Sequence, residues 1–128
     1  NFNDTDNPML KICYAIKTSG TSGTKKTVHV TYSSILPNIT SLQRIFQLDH
    51  SDVILSMSPI SFDPFIADLF LALHSGCALM FIDNSLRFNP IIFDATGVTY
   101  MQMTPTLFQQ FGIENIQQRI LNANSTLK

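Results

Sequence analysis

Charge is scarce in this chain. Asp, Glu, Lys and Arg make up 13% of its 128 residues and leave a net charge of -1. So sparse and balanced a set excludes the basic stripe that nucleic acid demands and the polybasic patch that draws a protein to an anionic membrane. The expected partners are therefore small molecules, with no nucleic acid and no membrane. Cysteine is nearly absent too: Cys13 and Cys77 are the 2 present. Both lie in apolar runs and read as reduced core residues, and two are too few to define a metal site. His29, His50 and His74 are widely spaced, without a cysteine or carboxylate set at ligand spacing, so no metal site is expected. No run of about eighteen apolar residues exists. The opening Asn1-Phe2-Asn3-Asp4 lacks the basic and apolar regions of a signal peptide. A reducing, cytoplasmic setting is the expectation. Internal repeats and low-complexity segments are missing, as are an initiating Met and a closing motif, which suggests part of a larger protein.

What is present is a hydrophobic content of 45%, enough for the core of one domain. Residues 1–8 are polar, end in Pro8 and read as a linker or the end of a preceding segment, with ordered structure expected from Met9. Lys11 to Lys17 alternates as a strand, and Thr27 to Val30 reads as a second. From Ser34 the residues Ile35, Ile39, Leu42, Ile45, Phe46 and Leu48 recur at helical spacing, with Pro37 in the first turn. Val53 to Met57 reads as a buried strand. Asp63 as N-cap and Pro64 at the first position open a helix with apolar Phe65, Ile66, Leu69, Phe70 and Leu73, stopped by Gly76. Cys77 to Ile82 and Val98 to Met103 are further strands, Asn89-Pro90 starts a helical turn, and Thr104-Pro105 starts a helix ending near Gly112. Met57, Met80, Met101 and Met103 are expected to fill core gaps. Alternating strands and helices predict an α/β fold with a mainly parallel sheet and covering helices. In such sheets ligands sit beyond the carboxyl ends of the strands, where loops at Thr18, Ser58 and Thr104 would all emerge.

The densest chemical signal is Thr18-Ser19-Gly20-Thr21-Ser22-Gly23-Thr24-Lys25-Lys26. Two glycines admit close backbone approach to an anion, while hydroxyls and ammonium groups supply donors and positive charge. A plain hairpin turn takes about two to five residues, so this long polar run favours phosphate binding over a simple turn. The spacing is not that of a Walker A loop, because Lys25 stands where its second Gly belongs, and no GxGxxG is present. Lys26 is the stronger candidate for a phosphate contact and Lys25 for a solvated side chain. Ser19 has no His and Asp partners to make it a nucleophile, so no residue is given a catalytic role. Asp63 has two readings, a helix cap or the partner of a substrate amine, and these can coexist.

The order Tyr14-Ala15-Ile16-Lys17 followed by Thr18 to Lys26 resembles the phosphate loop of the adenylate-forming (AMP-binding, acyl-CoA synthetase-like) superfamily. Two positions depart from the usual form: Lys25 replaces the Pro before the final Lys, and Thr27 the Gly after it. Ser61-Phe62-Asp63-Pro64 resembles the Phe-Asp motif of amino-acid-activating members. Leu71 to Leu79 and Thr104 to Leu107 also fall in family order. The resemblance covers roughly residues 9 to 112 and is closest to the branch that activates beta-alanine.

It implies that 9–128 is a partial adenylation domain, truncated on its C-terminal side, within the large N-terminal subdomain of such an enzyme. It implies ATP and Mg2+ as cofactors, with Thr18, Ser19, Gly20, Thr21, Ser22, Gly23, Thr24, Lys25 and Lys26 toward the nucleotide. Asp63 would face a carboxylate substrate that is an amino acid such as beta-alanine. It further implies a CoA or phosphopantetheine thiol as acceptor, and a possible carrier domain in the parent protein. The family's later motifs, among them the C-terminal catalytic Lys, are not found here, so these residues alone are expected to be inactive. A fatty-acyl-CoA ligase segment and a non-catalytic phosphate-binding or structural module are the alternatives.

Overall fold

A computed structural model describes residues 7–18, 25–83, 85, 89 and 97–112. A 3-10 turn, Pro8–Leu10, comes first, and Asn7 caps it by accepting from the Met9 amide at 3.0 Å. Strands β1 (Ile12–Thr18) and β2 (Lys26–Thr31) follow, then helix α1 (Tyr32–Phe46), β3 (Val53–Ser56), α2 (Asp63–Ser75), β4 (Ala78–Phe81), β5 (Tyr100–Gln102) and α3 (Pro105–Phe111). The helical turn expected at Asn89-Pro90 lies, with Pro90, outside the described residues.

The parallel sheet is present, with order β4-β3-β5 and β3 parallel to both neighbours. The α/β architecture with covering helices is as expected. Central β3 shows why its sequence is an unbroken apolar run: Ile54 and Leu55 point to opposite faces, and both are 0% exposed. On one face Ile54 and Tyr100 pack with Ile35 and Ile39 of α1 and with Leu71 and Ala72 of α2. On the other, Leu55 joins Met57, Val98 and Phe111 of α3, with Met80, Met101 and Met103 packed around them. The methionines therefore fill the core gaps assigned to them.

One expectation is overturned. The loop at Thr18 does not leave the parallel sheet, because β1 and β2 pair antiparallel as a separate two-stranded unit. Parallel strands need a crossover of about a dozen residues or more. Only residues 19–25 separate β1 from β2, too few for such a crossover. The loop thus does join a hairpin, so a turn and an anion loop are not alternatives.

The helices also differ in detail. Helix α1 begins at Tyr32, so Pro37 lies inside it. Pro37 and Ser33, whose carbonyl it cannot serve, are both exposed residues. Ile45 falls on the apolar helical stripe, yet it is 69% exposed. In α2 the buried residues are Asp68, Leu71 and Ala72, while Leu73 is 71% exposed. Gly76 ends α2 at φ 71, a conformation open to glycine, and the Cys77 amide returns to the Ala72 carbonyl at 3.2 Å. Cys13 and Cys77 are free, half-buried thiols against the first core cluster, and burial raises the Cys77 pKa. Among the described residues no helix is long and apolar enough to cross a membrane.

Candidate functional site

The two ends of the parallel sheet are built differently. At the amino end the backbone is stitched shut: the Val53 amide donates to Thr99 Oγ1 at 3.0 Å, Thr99 to the Val53 carbonyl at 3.0 Å, and Ala78 to the Asp52 carbonyl at 3.1 Å. At the carboxyl end β3 and β4 open into a cleft of about 410 Å3, lined by Ser56, Met57, Ser58, Pro59, Ile60, Phe81 and Ile82. Ser58 was expected at this edge. Neither Phe65 nor Ala67 of α2 lines this cleft. Phe65 meets Phe81 with ring centroids 5.8 Å apart, and Ala67 packs on the first core cluster. The Phe65–Phe81 contact still brings the first turns of α2 to a residue that walls the cleft.

Asp63 opens α2, but not as its cap. The N-cap is Phe62, in extended conformation and without a side-chain cap bond, and Asp63 is the first helical residue. A cap side chain must sit one position earlier to reach the free amides of the first turn. The Asp63 carboxylate instead accepts a hydrogen bond at Oδ1 from the Tyr14 hydroxyl at 2.7 Å. Burial, then this bond and the Asp63 charge, raise the Tyr14 pKa to about 12. The phenol is thus a donor throughout the neutral range. The capping expectation does hold at Thr104, whose Oγ1 accepts from the Leu107 amide at 3.2 Å.

Of the predicted loop, Ser19, Gly20, Thr21, Ser22, Gly23 and Thr24 lie outside the described residues. Its ends are described. Thr18 pairs with Lys26 across the hairpin, and Thr18 Oγ1 donates to the Lys26 carbonyl at 3.4 Å. Lys25 and Lys26 are both exposed. The hairpin therefore brings together both ends of the polar run and places two ammonium groups at its exit. Tyr14 further links the strand leading into that run to Asp63.

Asp68 leaves no signal in the sequence pattern. It is 1% exposed within α2; its Oδ2 accepts from Ser56 Oγ at 3.0 Å, and Oδ1 has no partner among the described residues. Burial raises its pKa to about 6, against the lowering effect of Ser56. Residue type alone concealed it, since a carboxylate is assigned by default to the solvent face of an amphipathic helix.

Comparison with known proteins agrees with this fold. The family model described as "AMP-binding enzyme" matches residues 3–128, and the chain belongs to that family. It is similar to the beta-alanine-activating enzymes: 40% identical to that of Drosophila melanogaster over 91% of this chain, and 37% to that of Homo sapiens over 93%. It spans about 12% of the length of either relative. In fold it is similar to the Vibrio cholerae adenylation domain AlmE, solved in complex with glycyl-adenosine-5'-phosphate. The TM-score is 0.78 at 24% identity, over 95% of this chain and 23% of that one.

Proposed function

We propose that this chain supplies the ATP-binding part of an adenylation domain within a longer enzyme. That enzyme would convert a carboxylate to an acyl-adenylate and pass the acyl group to a CoA or phosphopantetheine thiol, on a carrier domain where one is present. The substrate class is an amino acid, with beta-alanine as the candidate, in keeping with the relatives' name. Two free thiols favour the reducing cytoplasm. The observation that carries this reading is the 2.7 Å bond from Tyr14 to Asp63. It ties the strand entering the phosphate-type loop to the motif read as amine-binding, so that one site would hold both ends of the reaction.

The residues fit a nucleotide as far as they are described. Exposed Lys25 and Lys26 and the Thr18 hydroxyl stand where the hairpin opens, and a flexible ammonium can follow a phosphate as a point charge. ATP with Mg2+ would supply the activated phosphorus. The chain's part is to bind and orient the phosphates, so that a carboxylate held near Asp63 meets them in line. These 128 residues alone are expected to form no acyl-adenylate.

Lys26→Ala in the full-length protein tests the nucleotide half. It should remove a charge-assisted contact worth about 1.5–3 kcal/mol, read as a raised ATP requirement in pyrophosphate exchange. An unchanged ATP dependence would refute it.

A further inference from the structure

We infer that Tyr14 is a positioning residue for substrate selection: its hydroxyl fixes one oxygen of the Asp63 carboxylate so that the other faces the substrate's ammonium group. The inference rests on the amine-binding reading of Asp63 proposed above, and it assigns the orientation of that carboxylate to a residue of another element.

The backbone arranges this contact. The β1–β2 register slips between Ile12, paired with Thr31, and Tyr14, paired with Val30, which leaves Cys13 as an extra residue. Side chains of a regular strand alternate between faces. Here the consecutive residues Cys13 and Tyr14 both pack against the first core cluster. A bulge permits that, because the additional residue bends the strand and re-aims the side chain after it. Tyr14 is thereby half-buried, its ring held by the core and its hydroxyl delivered to a residue 49 positions away.

Chemistry supports the assignment. An exposed carboxylate on a first turn otherwise rotates freely about its terminal torsion. A phenol that stays protonated to a pH of about 12 can only donate to it over the working range. Tyr14 occupies Oδ1, whereas Oδ2 has no partner among the described residues. An ionised carboxylate accepts at both oxygens, so holding one aims the other without consuming the charge that an ammonium group needs.

The test is ATP–pyrophosphate exchange with the full-length protein, titrating beta-alanine and ATP separately in the parent, Tyr14→Phe, Asp63→Asn and the double variant. Tyr14→Phe should raise KM for beta-alanine about tenfold, as expected for a lost hydrogen bond to a charged group. It should leave KM for ATP in place. Asp63→Asn should raise KM for beta-alanine at least as much, and adding Tyr14→Phe to it should change nothing further.

If Asp63→Asn is silent, the amine-binding reading fails and this inference falls with it. If Asp63→Asn raises that KM but Tyr14→Phe does not, the positioning role alone is overturned, as it also is if Tyr14→Phe weakens ATP and beta-alanine alike. Should Tyr14→Phe not fold, 2,3,5-trifluorotyrosine at position 14 keeps the ring and its hydroxyl while making the phenol acidic enough to ionise below the pH at which the substrate's ammonium group deprotonates. Loss of beta-alanine affinity should then set in at that lower pH, and an unmoved profile would overturn the inference.

Discussion

The hairpin and the parallel sheet are opposites in how they are held. No residue of β1 or β2 is buried, whereas three of the four residues of β3 are. Of the described residues read as chemically active, Thr18, Lys25 and Lys26 lie on or beside the hairpin, and Asp63 lies on the exposed first turn of α2. Core packing and the candidate chemistry are therefore carried by different positions, buried for the one and exposed for the other. Elements with few buried contacts open most readily. Tyr14 and Cys13 moor the hairpin to the core, and Tyr14 extends that mooring to Asp63.

The largest effect should come from breaking the buried side of this comparison. Ile54→Ala removes a fully buried side chain between α1, α2 and the sheet. The expected cost is about 2–5 kcal/mol, the range for a large-to-small change in a packed core. Val28→Ala, at a hairpin residue that is 43% exposed, should cost about 0.5 kcal/mol or less. Urea denaturation monitored by circular dichroism measures both. Comparable losses would mean that the hairpin is part of the core after all.

The next effect depends on pH and sits inside the sheet–helix interface. Asp68 has its pKa raised to about 6 by burial. A raised carboxylate pKa means that the folded state binds the proton more tightly than the unfolded chain. Its contribution to stability is therefore complete below the unfolded pKa of about 4 and is lost as pH rises to about 6. At 1.36 kcal/mol per tenfold change, the loss has a ceiling of about 3 kcal/mol. Asp68→Asn retains an acceptor for Ser56 and cannot titrate, so its unfolding free energy should lack that fall between about pH 4 and 7. Tyr100, whose pKa is raised by burial and secondarily by Asp68, should titrate lower in the same variant. Parallel pH curves for parent and variant would show that Asp68 is ionised without penalty.

Much of the sheet side was legible in the sequence and much of the hairpin side was not, for physical reasons. Unbroken apolar runs and cap residues are local signals, so β3, α2, Gly76 and Thr104 could be read from their neighbours. The direction of β2 relative to β1 is a pairing property, visible only once the short connection is weighed against what a parallel crossover needs. The Tyr14–Asp63 bond spans 49 positions and leaves no trace in either segment. A bulge that puts two successive residues on one face defeats the period of two from which strand faces are read. Asp68 was hidden because helical periodicity assigns positions by polarity, and a buried carboxylate violates that rule.

The smallest expected effect sharpens the comparison at two helix starts that look alike in sequence, Asp63-Pro64 and Thr104-Pro105. Thr104 caps α3 through its bond to the Leu107 amide, so Thr104→Ala should cost about 1 kcal/mol and speed hydrogen exchange at that amide. Asp63 makes no such bond, and its N-cap Phe62 offers none. The Asp63 charge near the amino end of α2 is worth about 0.3–1 kcal/mol at an exposed position, and salt screens it. Asp63→Asn should therefore lose less stability than Thr104→Ala, its loss should shrink in high salt, and exchange at the Phe65 and Ile66 amides should stay as in the parent. Amide exchange followed by nuclear magnetic resonance separates the cases residue by residue. Faster exchange at Phe65 or Ile66 in Asp63→Asn would restore the capping role, and would weaken the argument that this carboxylate is held by Tyr14 for another purpose.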